Sequence, residues 1–178
     1  MVTEYHSQVT SSTERHRQTP LHAVHERLGA TMISFAGWRM PLRYASETAE
    51  HHTVRHAAGL FDLSHMGEIL VAGPQAGDAL DYALVGHLSA LRPGRARYTM
   101  MCSADGGVLD DLVVYRQDDR AFLVIANAAN TATVHDQLRE RSGGHDAQVT
   151  DATGDYALIA VQGPAAAGIL APRWRWRA

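Results

Sequence analysis

The stretch RYTMMCSADGGVLDDLVVYR, residues 97–116, decides how this chain folds. Ala104-Asp105-Gly106-Gly107 is a turn signal between two runs of alternating character. The pattern predicts strands over Arg97–Ser103 and Val108–Arg116, closed as a hairpin. Side chains alternate across a strand, so Leu109, Asp111, Val113 and Tyr115 share one face, while Asp110, Leu112 and Val114 share the other. A symmetric closure about Asp105-Gly106 sets Met100 opposite Asp111 and Tyr98 opposite Val113. One face then collects Tyr98, Met100, Asp111, Val113 and Tyr115, with Cys102 alternating onto it near the turn. A slip of one residue would exchange the two faces.

Working outward, a turn at Asp118-Asp119 returns the chain as a strand over Ala121–Ala126. Asn130 is placed to cap a helix carrying Val134 and Leu138, which closes at Gly143-Gly144. A last strand, Tyr156–Val161, runs into Gln162-Gly163-Pro164 and a new helix start. Upstream, Thr19-Pro20 opens a helix with Leu21, Val24 and Leu28 at helical spacing and Gly29 as its stop. A loop or short strand over Met32–Trp38 leads to Ser46, which opens a polar helix ending near Gly59. Ile69–Ala72 reads as a strand, followed from Pro74 by a helix with Ala76, Leu80, Ala83 and Leu84 on one face. Hairpins and separate helices predict an α+β domain, an antiparallel sheet with packed helices, over residues 19–170. Residues 1–18 read as a flexible polar extension. Arg15 and Arg17 lend them a transit-peptide flavour that Glu4 and Glu14 oppose.

Composition narrows the function classes. The 178 residues are 46% hydrophobic and 20% charged, which excludes a largely disordered chain. Sixteen Lys and Arg against 19 Asp and Glu leave a net charge of -3, so no basic footprint for nucleic acid is expected. No membrane partner is expected either, because the apolar run Ile69–Gly73 stops at Pro74. Cys102 is the single cysteine, which forbids an internal disulfide and suggests a reducing compartment; the expected location is cytoplasmic. Eleven histidines, most of them early in the chain, have no evident role.

The hairpin face has the chemistry a flat, partly polar ligand needs. Aromatic and apolar groups bury a ring, and a carboxylate accepts from ring or amino N–H groups. A carboxylate set beside aromatics is also expected to have a raised pKa, suited to proton transfer. The competing reading leaves Asp111 at a solvated edge with Tyr98 and Tyr115 merely packing across strands. Other candidates are weaker. His52 and His56, four apart, lack an intervening acid and read as a solvated helix face, so no metal site is expected. Cys102 reads as a small buried hydrophobe, and Gly106-Gly107 as a turn and not a phosphate loop. His65 beside Met66 either orients a ligand or fills a gap.

Several stretches, taken in order, resemble the T-protein of the glycine cleavage system, an aminomethyltransferase family. They are Thr19-Pro20-Leu21, FAGWRMPLRY at 35–44, GLFDLSHMGE at 59–68, GGVLDDLVVYR at 106–116, NAAN at 127–130 and ALIAVQGP at 157–164. The resemblance implies the N-terminal part of a folate-binding fold and tetrahydrofolate as cosubstrate. It implies transfer of a one-carbon unit from the aminomethyl-lipoyl arm of the H-protein, with release of ammonia. The family's functional aspartate corresponds to Asp111. Tyr98, Val113 and Tyr115 match positions around the pterin, Met66 and Leu70 match apolar positions beside it, and Asn127 is a further carry-over. Relatives continue into a Gly-Tyr-Thr-Gly-Glu stretch and folate-holding arginines that do not follow Gly163-Pro164 here, so the domain is expected to be incomplete. Residues 171–178, alternating Trp and Arg, leave the family pattern. They are expected to mark a truncated or altered reading frame, with an aromatic-basic binding tail as the competing reading. Two further functional readings stand beside the first. One is a folate domain related to sarcosine- and dimethylglycine-oxidising enzymes; the other is a non-catalytic folate-binding module or inactive remnant.

Overall fold

Apolar side chains at every second position of three consecutive strands need a cover, and two amphipathic helices supply it. The computed structural model describes residues 16–171, so most of the expected extension and all but Ala171 of the off-pattern tail lie outside the described residues. The chain begins with β1 (Arg17–Gln18), α1 (His22–Arg27), β2 (Thr31–Phe35) and β3 (Trp38–Arg43), followed by α2 (Glu47–His56) and β4 (Gly59–Asp62). Next come β5 (Gly67–Ala72), α3 (Ala76–Ala83), β6 (Ala96–Cys102), β7 (Val108–Arg116) and β8 (Ala121–Ala126). It ends with α4 (Thr131–Arg141), β9 (Gln148–Asp151), β10 (Ile159–Gln162) and α5 (Ala166–Leu170).

Five strands form the main sheet in the order β6-β7-β8-β5-β9, every pair antiparallel. Its inner face carries Ile69, Val71, Leu112, Val114, Phe122 and Val124, packed with Leu80 of α3 and with Val134 and Leu138 of α4. Burial of each such side chain is worth about 1.5–3 kcal/mol, so this interface holds the domain together. Gly67 lets α4 approach β5, since a Cβ there would meet the Thr131 side chain at 2.5 Å. The α+β architecture and the hairpin register are as the sequence predicts: Met100 pairs with Asp111 and Tyr98 with Val113.

Several local expectations are corrected. A bulge between Met101 and Cys102 sets Cys102 opposite Val108. At this twisted strand end Leu109 packs against the core instead of staying on the Asp111 face. Residues 32–38 hold the short strand the sequence allows, as most of β2, and continue through a turn to the first residue of β3, so they belong to a β2–β3 hairpin. Its two-residue turn, Ala36-Gly37, has φ of 48° and 79°, the left-handed pair that matches strand twist. The first helix starts at His22, after a turn in which the Thr19 carbonyl accepts from the His22 N–H. Asn130 holds the N-cap position of α4 without capping it, its side-chain amide being directed to Asp110. The last strand is shorter than expected, Ile159–Gln162, and pairs with the unpredicted β4. Polar β9 was not evident from its sequence, and Arg17-Gln18 pair in parallel with β3, so pairing begins inside the expected extension.

The two faces of β7 are expected to differ sharply in stability measurements. Leu112 is 1% exposed, and Leu112→Ala is expected to lower the unfolding free energy in urea by about 2–5 kcal/mol. Tyr115 is exposed, and Tyr115→Ala should cost no more than about 1 kcal/mol. Equal losses would mean that the strand presents its faces differently.

Candidate functional site

The sheet face turned away from α3 and α4 gathers the residues the sequence singles out. Along one row Tyr98 pairs with Val113, Val113 with Ile125 and Ile125 with Glu68. In the next, Tyr115 pairs with Leu123 and Leu123 with Leu70. Met100 and Asp111 form a third row. Met66 and Asn127 directly precede and follow the paired residues Gly67 and Ala126, which puts both at the Asp111 end of the sheet. Tyr98 is 68% exposed, and Met100, Asp111 and Tyr115 are exposed as well, while Leu70 and Val113 are half-buried. An aromatic and apolar bed therefore surrounds one accessible carboxyl group.

That carboxyl is held from two sides. The Tyr98 hydroxyl donates to Asp111 Oδ2, and Asn127 Nδ2 donates to Asp111 Oδ1 at 3.0 Å. Asn127 is itself oriented by Asp110, whose Oδ2 accepts the Asn127 backbone N–H at 3.0 Å and whose Oδ1 accepts Asn127 Nδ2 at 2.9 Å. Asn130 Nδ2 donates to the same Asp110 oxygen at 2.7 Å. Neighbouring aspartates thus have opposite tasks. Asp110, 4% exposed, fastens the β8–α4 connection, and Asp111 faces outward.

The expected rise in the Asp111 pKa is overturned. The Tyr98 hydroxyl above all, with the Asn127 amide adding to it, holds the carboxyl below the usual carboxylate range, outweighing the desolvation that opposes them. The aromatic neighbour acts through its O–H donor and not through its ring, and the carboxyl remains solvated. The same bond raises the Tyr98 pKa, with the Asp111 charge adding to it. At neutral pH Asp111 is an ionised acceptor.

Glu68 lies on this face unannounced by the sequence, where nothing distinguishes it from a solvated strand residue. It is 1% exposed, its Oε2 has no hydrogen-bond partner, and burial, with the charge of Asp151 adding, pushes its pKa up to about 7. His65 is buried edge-on to Phe35 at 5.6 Å between ring centroids. Burial lowers its pKa, against the opposing charge of Asp62. Cys102 is a free, half-buried thiol. His52 and His56 lie exposed along α2, and among the described residues no group of three or more metal-ligating side chains is assembled.

Comparison with known proteins identifies the family and the fold. The profile of the family described as the GCVT N-terminal domain matches residues 21–175. An aminomethyltransferase of Saccharopolyspora erythraea is 64% identical over 156 residues, which cover 88% of this chain and 42% of that protein. One from Streptomyces coelicolor is 60% identical over 161 residues, covering 90% of this chain and 43% of that protein. The chain therefore spans well under half the length of these curated relatives. Among solved structures, the glycine cleavage system aminomethyltransferase T from Bartonella henselae superposes with a TM-score of 0.80 at 40% identity, over 88% of this chain and 43% of that one. A heterotetrameric sarcosine oxidase from Corynebacterium superposes with a TM-score of 0.52 at 16% identity, over 88% of this chain and 66% of that one, a likeness of fold alone.

Two outcomes are expected from the polar groups of this face. Asp110→Asn turns an amide toward three N–H donors and should cost about 1–3 kcal/mol of unfolding free energy, whereas Asp111→Asn should stay within about 0.5 kcal/mol. Equal costs in urea unfolding would contradict the division of labour. Glu68 has a folded-state pKa above its ordinary value, so its contribution to stability is full below about pH 4.5 and is lost as pH rises through about 7. Stability should fall across that window in the unaltered chain and lose that component in Glu68→Gln. Identical pH profiles for the two proteins would remove Glu68 as the titrating group.

Proposed function

The chain belongs to the GCVT N-terminal domain family, and from that premise we propose that it forms the pterin-holding part of a tetrahydrofolate-dependent aminomethyltransferase of the glycine cleavage system. Tyr98, Val113 and Tyr115, with Leu70 and Met66 toward the neighbouring strand, form the bed for the ring. Asp111 accepts hydrogen bonds from its N–H groups. The observation that carries this reading is the ionised Asp111 carboxyl, held by Tyr98 and Asn127 within an exposed aromatic sheet face. Its donor and acceptor chemistry fits a reduced pterin, which presents N–H groups on a flat, largely apolar ring.

Tetrahydrofolate supplies the nitrogen that takes up the one-carbon unit. The residues of this chain have narrower tasks. Asp111, ionised at neutral pH, acts as a hydrogen-bond or proton acceptor near that nitrogen and not as a proton donor. Asn127 and Tyr98 keep its two oxygens aimed, so little reorganisation accompanies ligand binding. The one-carbon donor in this proposal is the aminomethyl-lipoyl arm of the H-protein, ammonia is released, and the setting is cytoplasmic. A role in holding folate without turnover is the second reading.

Calorimetry with tetrahydrofolate under anaerobic conditions tests the proposal. Loss of one hydrogen bond to a charged group is expected to weaken binding by roughly 10- to 150-fold in Asp111→Asn, about 1.5–3 kcal/mol. Unchanged affinity in that variant, with the fold intact by circular dichroism, would sink the assignment. Ammonia release from aminomethyl-loaded H-protein separates the readings, since binding without release leaves the folate-holding role alone.

A further inference from the structure

A second cluster of ionisable groups lies away from the Asp111 face. Asp62, at the end of β4, has a fully buried side chain whose Oδ2 is 2.8 Å from His25 Nε2 and whose Oδ1 accepts the Ser64 backbone N–H at 3.0 Å. The other ring nitrogen, His25 Nδ1, is 2.7 Å from the Tyr44 hydroxyl. Three residues from α1, β4 and the segment after β3 therefore form a continuous Asp–His–Tyr array. Burial pushes the Asp62 carboxyl up, but hydrogen bonds from His25 and Ser64 outweigh it and keep the group ionised. An ionised carboxylate only accepts, so His25 Nε2 carries a proton; in the neutral imidazole Nδ1 then accepts from Tyr44, and the Tyr44 oxygen keeps its own acceptor capacity free.

Tyr44, His25 and Asp62 all line a cavity of about 510 Å³, a size typical of small-ligand sites. Met40, Leu42, Val54, Leu60 and Phe61 line its apolar part, and Leu42, Leu60 and Phe61 are exposed there. The polar end is acidic. Asp62, Glu50 and Glu47 belong to its lining; the Asp62 side chain is fully buried against His25, and Glu47 is paired with the Arg43 guanidinium at 3.3 Å. Glu50 stays ionised because the Ala45 and Tyr44 backbone N–H groups hydrogen-bond it. Burial, then the charges of Asp62 and Glu50, raise the Tyr44 pKa and keep the phenol neutral. Only a cation or strong N–H donor answers both the free phenol oxygen and this charge.

We propose that the cavity bounded by β3, α2 and β4 is a second binding site, for an alkylammonium ligand. Its chain lies against Leu42, Leu60 and Phe61, and its nitrogen donates to the Tyr44 hydroxyl at the end of the Asp62–His25 array. Charge complementarity selects the occupant, since an alkanoate of equal length would enter the negative field of Asp62 and Glu50 around Tyr44 and an alcohol would forgo the ionic attraction. The site shares no residue with the Asp111 face and does not depend on folate being the ligand there.

Calorimetry and NMR with n-hexylammonium, hexanoate and 1-hexanol on the full chain test this. Hexylammonium should bind and shift the ring signals of His25 and Tyr44, hexanoate should not bind, and hexanol should bind at least about tenfold more weakly. Tyr44→Phe keeps the aromatic wall and should weaken hexylammonium by about tenfold or more, the scale of one hydrogen bond to a charged group. Equal binding of the three ligands, or no binding of the amine, would overturn the proposal. So would undiminished amine binding by a folded Tyr44→Phe protein. If that variant does not fold, the ligand series on the unaltered chain decides by itself. Asp111→Asn should leave hexylammonium affinity unchanged, which separates a failure here from a failure of the folate reading.

Discussion

The buried carboxyl group of Asp110 is the constraint around which the Asp111 site is built. It takes three N–H donors from Asn127 and Asn130, residues 17 and 20 positions further on, and so fastens the start of α4 to β7, the second strand of the hairpin. Removal of such a partner leaves buried donors unsatisfied, which costs more than the bond contributes when it is made. Because a strand alternates, a residue pinned inward forces its neighbour outward. Asp111 faces the open side of the sheet because Asp110 is committed to the other, and Asn127 reports that commitment to both.

One sheet therefore does two jobs with its two faces. The inner face is closed by α3 and α4 through Leu80, Val134 and Leu138, and provides the rigidity. The outer face keeps Tyr98, Met100 and Tyr115 accessible around a solvated carboxylate. An antiparallel sheet allows this division, since its strands can be apolar on one side and chemically varied on the other. Glu68 sits where the division blurs: it belongs to the outer face by register, yet is buried and without a partner for Oε2. Its raised pKa is the electrostatic consequence of that position.

The two carboxylates that anchor polar arrays show how environment separates like groups. Asp111 is solvated and held low by a phenol and an amide. Asp62 is buried, and its desolvation is outweighed by hydrogen bonds, that of the His25 imidazole first and those of Ser64 among the rest, which hold it low. A phenol completes each array, but Tyr98 bonds its carboxylate directly, while Tyr44 is reached through His25. The first arrangement leaves carboxylate lone pairs for a ligand. The second leaves a neutral phenol oxygen in an acidic cavity.

The hairpin register, the face that carries Asp111 and the α+β class were legible from residues 97–116 and their surroundings, because strand alternation and turn chemistry are local properties. The motif resemblance added the family, and it also pointed to Asn127, Met66 and Leu70, whose positions no periodicity marks. What the sequence left hidden is of one kind. The lowered pKa of Asp111, the use of Asn130 as an Asp110 partner instead of a cap, the burial of Glu68 and the His25–Asp62–Tyr44 array all depend on contacts between residues distant in the chain. His25 and Asp62 are 37 positions apart, and Tyr98 and Asp111 are 13. Composition and spacing determine which residues share a face. Only the packed structure decides which polar group finds which partner, and with it the charge that each carries.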